Sequence, residues 1–311
     1  KKINLATWEI DHLCYRTSSQ ENYKDVKSSF MLFSTLLSEA LVNGRTISTF
    51  KLQEPILYKH YVIDLIEVPA PKEGKDTREG FEHLEVVIDQ PFEYILEAYP
   101  HCHFKKSGLS KSLNPELQIT LNSGAIKFHH SSLEQIINIE DSGPITSFLE
   151  SSDILTKLSS YRPLISGTIP LRISTKESDL DILFEAENLN SFKKEALQLF
   201  TLNKTLFIKE GTHQKLDSLI INFTCEGLKV ELFCQNKTVY QQQSNLHFLI
   251  EGRLLKLFPK TRSQLIALKE KGIKTEPAFG EVFNLTTPYA DLLSLQKKSD
   301  QELKALYPHL S

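Results

Sequence analysis

The run Asp179-Leu180-Asp181-Ile182 alternates acid and apolar side chains residue by residue. Successive residues of a strand point to opposite faces, so Asp179 and Asp181 share one face and Leu180 and Ile182 the other. The result is an acidic edge backed by a core face. Two carboxylates held a few ångströms apart repel unless one is protonated or a divalent cation sits between them, and metal binding is the economical explanation. Just upstream, Leu164 and Ile165 begin a strand that Ser166-Gly167-Thr168 interrupts. A glycine lets backbone amides approach a phosphate closely, and a threonine hydroxyl can donate to one.

The chain around this stretch alternates helical and strand patterns. Ile145 to Ser159 has helical spacing, as does Leu189 to Phe200, and strands are expected at Thr205 to Lys209, Leu219 to Thr224 and Leu228 to Cys234, the last two joined by a turn at Glu226-Gly227. On the last strand Val230 and Leu232 face the core, which turns Glu231 toward the acidic side as a third carboxylate. Three acids converging from neighbouring strands can hold two Mg²⁺ ions, orient a nucleoside triphosphate and activate an acceptor hydroxyl. In that reading Asp179, Asp181 and Glu231 are catalytic, and Gly167, Thr168, Ser178 and Lys215 contact the nucleotide. Lys176, Lys215 and Lys274 are candidates for the triphosphate, each with a solvated surface lysine as the alternative. The bland alternative for the acids is a set of exposed strand-end carboxylates. Leu246 to Phe258 and Ser263 to Lys271 read as helices whose basic residues form a solvated face, and Asp291 to Leu310 as one amphipathic helix.

Before Glu140-Asp141-Ser142-Gly143-Pro144, a polar turn-forming boundary, the pattern is different. A strand at Ile10 to Arg16 is followed by helical spacing from Glu21 to Val42 and by strands at Thr46 to Leu52 and His60 to Val68. After the proline-bearing charged connector PAPKEGKDTREG the order repeats, with a strand at Phe81 to Ile88, a helix at Pro91 to Tyr99 and strands near Leu117 to Leu121 and Ala125 to His129. This is the signature of an internal duplication of a strand-helix-strands unit. Within it, His12, Glu67, His83 and His129 each lie on the polar side or at the end of a strand. Imidazole and carboxylate together suit Zn²⁺, Ni²⁺, Mn²⁺ or Fe²⁺ with an open position for Lewis-acid chemistry, and four unrelated surface or hydrogen-bonded residues are the alternative. His101 and His103 flank Cys102 on one expected strand face, explained as well by a solvated edge.

At 311 residues the chain is too long for one ordinary core and suits two domains, at 1–142 and 143–311. Its net charge of −3 supplies no general attraction to nucleic acid or anionic lipid, so DNA binding is not expected. No apolar run approaches the roughly 20 residues needed to cross a bilayer and the start carries no signal-peptide segment, so the expectation is a cytoplasmic protein without a membrane partner. Cys14, Cys102, Cys225 and Cys234 form no Cys-x-x-Cys pair and are expected as reduced, buried thiols.

Two resemblances add to this. DHLCYR, NGRTISTFKLQEPI, IEVPAPKEG, GFEHLEVVI, LNPELQIT and IKFHHSSLEQII, in that order over about the first 140 residues, resemble the bacterial YecM family of the vicinal-oxygen-chelate superfamily. That implies paired βαβββ modules forming a glyoxalase-like cup with metal ligands on the first and last strand of each, here His12 and Glu67, then His83 and His129. Glyoxalases end that set with a carboxylate, whereas this chain has His129. In the second half LISGT, SDLDI and VELF resemble the nucleotidyltransferase superfamily pattern, with Thr168 in place of the usual serine or glycine, and the region from about Leu155 to Leu293 resembles an uncharacterised bacterial domain family of that fold. The fold class implied is α+β in two domains, a glyoxalase-like cup and a minimal nucleotidyltransferase domain. The leading function is Mg²⁺-dependent transfer of a nucleotidyl group from a nucleoside triphosphate to an unidentified acceptor. Lyase, isomerase or dioxygenase chemistry at a transition metal in the first half, and non-catalytic nucleotide or metal binding, remain as alternatives.

Overall fold

The computed structural model describes residues 3–5, 8–42, 44–72, 74, 77–122, 124–200 and 205–310. Residues 73, 75 and 76 of the connector lie outside the described residues. The chain is α+β and divides into two compact units, Lys1–Ile137 and Asn138–Ser311.

In the first unit β1 (Glu9–Arg16), α1 (Gln20–Phe30), β2 (Ser34–Val42), β3 (Arg45–Tyr58) and β4 (Tyr61–Pro69) make one module. A second follows as β5 (Gly80–Val87), α2 (Phe92–Ala98), β6 (Phe104–Lys105), β7 (Leu117–Leu121) and β8 (Gly124–His129), before α3 (Leu133–Glu140). All eight strands form one sheet in the order β2-β3-β4-β1-β5-β8-β7-β6. The first strand of each module pairs parallel with its own last strand, and β1 pairs antiparallel with β5, so two βαβββ modules meet about a pseudo-two-fold at the centre. The duplication expected from the sequence is therefore present.

One expected element is wrong. The helix read over Glu21 to Val42 stops at Phe30, and residues 34–42 are an edge strand zipped along β3 from Ser34↔Leu52 to Val42↔Arg45. The amides of Leu32 and Phe33 bond back to Ser29 and Phe30, and the Ser34 hydroxyl donates to the Phe30 carbonyl, which closes the helix without glycine. Phe30 stacks on Phe50 and Phe33 packs against Phe30, each at 5.3 Å between ring centroids. The turn keeps these apolar residues together, so the spacing looked helical. Glu39 of β2 then accepts from Tyr23 and Ser48 and pairs with Lys27, which ties the edge strand to α1.

Pairing sorts the sheet into two faces. Leu13, Phe50, Ile66 and Val68 pack against Tyr23, Val26 and Phe30 around α1. Val86, Leu117, Ile126 and Phe128 pack around Ile95 of α2. The opposite face carries His12, Cys14, Glu67, His83, Glu85, Lys127 and His129, aligned by the registers His12↔Glu85, Cys14↔His83, Cys14↔Glu67 and Glu85↔Lys127.

The second unit runs α4 (Gly143–Ser152), α5 (Ile154–Lys157), β9 (Leu164–Ser166), β10 (Leu180–Glu185), α6 (Leu189–Leu199), β11 (Phe207–His213), β12 (Leu216–Cys225), β13 (Leu228–Gln235). Its five strands take the order β11-β12-β13-β10-β9, with β10 parallel to β13. Both hairpin tips, Gln214-Lys215 and Glu226-Gly227, hold two residues with positive φ, the conformation that matches the twist of paired strands. Leu180, Ile182 and Phe184 turn to one face, where Phe184 meets Phe192 of α6 at 4.8 Å between centroids. Helices α7 (Gln243–Leu257), α8 (Arg262–Glu270), α9 (Thr275–Phe283), α10 (Pro288–Leu295) and α11 (Asp300–Leu306) bury Leu254, Phe258, Leu265, Phe279, Phe283 and Leu303 among themselves. Two expected helices are in fact pairs. Asp153, at φ 51°, separates α4 from α5, and a capping box of Ser299 and Glu302 restarts the chain as α11. The helix α9 has no counterpart in the sequence reading.

Among the described residues no helix is long and apolar enough to cross a membrane. The four cysteines are free, Cys14 and Cys234 buried and the other two only half-buried, so burial holds for two of them. His101 and His103 sit in an exposed turn ahead of β6, not on a strand. Phe128 is fully buried between Trp8 and Phe104. Phe128→Ala should therefore cost about 3–5 kcal/mol in denaturant unfolding, the usual range for emptying a buried aromatic site.

Candidate functional site

On the polar face of the first unit, His12, Glu67 and His83 each offer one ligand atom within 4.8 Å of the others. The two imidazoles are held alike. His12 Nδ1 lies 2.8 Å from Asp11, whose carboxylate also accepts the Leu133 amide, and His83 Nδ1 lies 2.9 Å from Glu82. A carboxylate on Nδ1 fixes the tautomer and leaves Nε2 as the outward ligand, the arrangement common behind metal-bound histidines. His12 Nε2 is buried with no hydrogen-bond partner among the described residues. The donor set therefore fits a transition metal with open positions.

His129 is outside that group. Its Nε2 faces Glu85 at 2.7 Å and Glu116 at 3.8 Å. The four-ligand set expected from the resemblance thus separates into three residues and one. What displaces it is Glu85, a residue not singled out in the sequence. Glu85 also approaches His12 Nε2 at 3.6 Å, His83 Nε2 at 3.1 Å and Lys127 Nζ at 2.7 Å. Burial alone would raise the Glu85 carboxyl, but His12 and His129 outweigh it and hold it well below the usual range. Burial likewise opposes a charged His12, yet Glu85 and Asp11 raise it well above the ordinary value. The alternation of β5 was the available signal, since Glu85 follows His83 by two residues on the same face.

In the second unit, the registers Asp181↔Glu231 and Asp181↔Ser166 put these side chains on one face across three adjacent strands, with Asn222 opposite Glu231 on a fourth. Asp179 precedes β10 by one residue on that same side. Gly167, at φ +79°, passes so close to Asp181 that a Cβ built on it would lie 1.9 Å from the carboxylate oxygen. Only glycine fits. Thr168 donates to Ser178 Oγ at 3.2 Å, and Ser178 Oγ also accepts the Thr175 amide, so the two predicted hydroxyls are joined in one partition.

Burial, then Asp179 and Glu231, push the Asp181 carboxyl well above the usual carboxylate range, with Lys269 acting in the other direction. Burial and Asp179 raise Glu231 too, while Asn222 restrains the shift. The three acids feel one another, although they do not close to the 4.8 Å spacing of the His12 group. Oxygen-only donors of like charge fit a hard divalent cation such as Mg²⁺.

The lysines fall differently from expectation. Lys215 is at the exposed tip of the β11–β12 hairpin, seven residues from Asn222 and hence about 23 Å along the strand, beyond the reach of a lysine side chain. Lys274 is exposed at the start of α9, and Lys176 lines a cavity beyond the Thr168–Ser178 partition. The cation that faces the acids is Lys269 of α8, half-buried and under the influence of Glu251, Asp181, Glu276 and Asp179. The sequence reading assigned α8's basic residues to a solvated face, because periodicity marks an apolar stripe and gives no sign of a cation beside it. Behind Lys269, His247 Nδ1 approaches Glu276 at 3.5 Å and its Nε2 lies 2.9 Å from the Tyr289 carbonyl.

Comparison with known proteins places these units. The sequence profile of the YecM protein matches residues 1–111, and that of a domain of unknown function (DUF4269) matches residues 147–295. Protein YecM of Escherichia coli (strain K12) is 31% identical over 156 residues, which are 45% of this chain and 82% of that protein. The chain belongs to the YecM family. Among solved structures, Structural Genomics Protein EC4020 is similar at 32% identity and TM-score 0.38, over 43% of this chain and 78% of the other. The MgGTP-bound Cid1 poly (U) polymerase is similar at 12% identity and TM-score 0.33, over 47% and 48%.

Glu251 gives this region a pH signature. It is fully buried on α7, and burial with the charge of Glu276 raises its carboxyl to about 8, against weaker opposition from His247 and Lys269. Because the folded state holds this proton more tightly than the unfolded chain, the stability it contributes is complete below the ordinary carboxylate range. That contribution is lost as pH rises through about 8. Glu251→Gln should therefore flatten the fall in melting temperature between pH 5 and 9 and be more stable than the parent at the alkaline end, with a ceiling of roughly 5 kcal/mol. Equal pH slopes for parent and variant would refute this account of Glu251.

Proposed function

We propose that the second unit is a divalent-cation-dependent nucleotidyltransferase. The observation that carries this reading is the placement of Asp181 and Glu231 in register on parallel strands, with Asp179 two residues ahead and Gly167 pressed against Asp181. Asp179, Asp181 and Glu231 would hold Mg²⁺, which supplies charge neutralisation on a triphosphate and lowers the barrier to deprotonating an acceptor hydroxyl. The rest belongs to the chain. Gly167 brings its backbone close to the phosphates, and the Thr168 hydroxyl lies beside it. Lys269 balances negative charge next to the acids, and Glu231 receives the proton of the acceptor hydroxyl. In the transfer the acceptor oxygen bonds to the α-phosphorus, the bond from that phosphorus to the bridging oxygen breaks, and pyrophosphate leaves.

The test is pyrophosphate release from each nucleoside triphosphate with Mg²⁺ or Mn²⁺ over a panel of hydroxyl acceptors. Asp179→Asn/Asp181→Asn should reduce it at least about a hundredfold, equivalent to some 2.7 kcal/mol of transition-state stabilisation. Undiminished release by that variant would overturn the assignment.

The His12, Glu67 and His83 cluster favours a second reading for the first unit, that it binds a transition metal such as Zn²⁺, Ni²⁺, Mn²⁺ or Fe²⁺ and supports lyase, isomerase or dioxygenase chemistry there. Protein purified without chelator should carry close to one equivalent of such a metal by elemental analysis. His12→Ala/His83→Ala should lose it while its melting curve stays cooperative. A content below about a tenth of an equivalent, after supplementation with each metal in turn, would remove this reading, since three preorganised ligands give strong sites for these ions.

A further inference from the structure

A cavity of about 430 Å³ lies within the second unit, bounded by the loop between Thr168 and Asp179, the β12–β13 turn and the first turn of α4. Neither sequence motif touches it except through Ser178. Its charge is the informative property. Arg172, Lys176 and Lys229 line it against one acid, Glu226, in a chain whose net charge is −3. Arg172 pairs with Asp141 and Lys229 with Glu177, both acids being half-exposed or more, so either cation can be recruited at little cost. Lys176 makes no ion pair among the described residues. Ser174 and Thr175 add polar groups to the wall, and α4 opens on it with no acid in its first turn, so the helix dipole adds to the positive field.

The wall nearest the acids is specific. Ser178 lines the cavity, accepts from Thr168 Oγ1 on the far side and is followed directly by Asp179. A ligand resting here is separated from the proposed transfer site by one hydrogen-bonded layer of side chains. We propose that this cavity binds the phosphate-bearing part of the acceptor, with Arg172, Lys176 and Lys229 as its contacts. The word acceptor rests on the nucleotidyltransferase reading; the anion site itself does not. The same phosphate chemistry could belong to a small phosphorylated metabolite or to the end of an oligonucleotide, and the two differ in how many cations they engage.

The experiment titrates the full chain with inorganic phosphate, a nucleoside 5′-monophosphate and a short oligoribonucleotide, in EDTA and without triphosphate. Saturable binding is expected for at least one of them. Lys176→Glu should weaken it about tenfold and lower the salt slope by about one, as loss of one phosphate contact does, and Lys176→Arg should restore it. Lys304→Glu, an exposed change on α11 away from the cavity, should leave it unchanged. Tightest binding of the monophosphate identifies a small acceptor, whereas a steeper salt dependence and tighter binding for the oligonucleotide identify a nucleic-acid end. No saturable binding by any probe, or equal loss in Lys176→Glu and Lys304→Glu, overturns the proposal and leaves the pyrophosphate assay to decide the transfer reaction. Saturable, Lys176-dependent binding without pyrophosphate release from any triphosphate sustains the anion site and removes the transfer reaction.

Discussion

Everything on the acidic side of the second sheet depends on a carboxylate pressed against a backbone. Asp181 occupies the space that a side chain at position 167 would need, and Gly167 is held at φ +79° to leave it free. The contact fixes the approach of β9 to β10, and the register Asp181↔Ser166 continues through Asp181↔Glu231 into β13. Burying like charges this way is unfavourable, and the sheet absorbs the cost one step further along. On the same face Leu183 and Phe233 follow the acids and bury with Val239. Apolar packing therefore anchors the strands just beyond the point where electrostatics would separate them.

The first unit answers the same problem with the opposite sign of neighbour. Its polar side also gathers carboxylates, but two of them meet cations and imidazoles: Glu85 lies against Lys127 and three histidines, and Glu82 against Arg16 and His83. The network compensates the charge of Glu85, yet His12 Nε2 stays buried with no hydrogen-bond partner among the described residues. Removing one member would leave the others charged in a buried place, which is why paired buried charges are costly to break. The two faces thus differ in kind. Asp181 and Glu231 of the second unit are pushed toward protonation, whereas Glu85 of the first is already compensated, so a metal at His12, Glu67 and His83 must displace the contact of His83 Nε2 with Glu85.

Alternation in the sequence was enough to place the acids and the histidines on their faces, because a period of two survives whatever packs above the strand. It foresaw the duplication in the first unit for the same reason. It failed at 31–33, where a turn mimicked helical spacing and concealed β2, and at α9, a nine-residue helix interrupted by Pro277 and Gly280, whose Ala278, Phe279 and Phe283 are buried among other helices. The lysines show the deeper limit. Lys215 and Lys269 are indistinguishable as sequence, each a cation near an apolar segment, and only the hairpin carrying one away and the helix bringing the other in separate them. Glu85 was missed because a chain cannot announce that four cationic or imidazole groups from three strands will meet at one carboxylate.

Under the proposed transfer reaction the charge balance of the second unit couples metal binding to triphosphate binding. A triphosphate brings several negative charges to a face where Asp179 acts on both Asp181 and Glu231 to raise them, with Lys269 opposing the shift at Asp181 and Asn222 at Glu231. At a few ångströms in a partly buried site such repulsion exceeds what one lysine returns, so triphosphate alone binds poorly. A divalent cation favours both partners, and linkage makes the effect mutual: whatever factor the metal adds to triphosphate affinity, the triphosphate adds to metal affinity. Lys269 is itself shared with Glu251 and Glu276 behind it, so protonation of Glu251 frees more of that lysine's field for the acids. The buried helical layer is in this way part of the site's electrostatics, and Gln242 at the head of α7 ties it to β10 by donating to the Phe184 carbonyl.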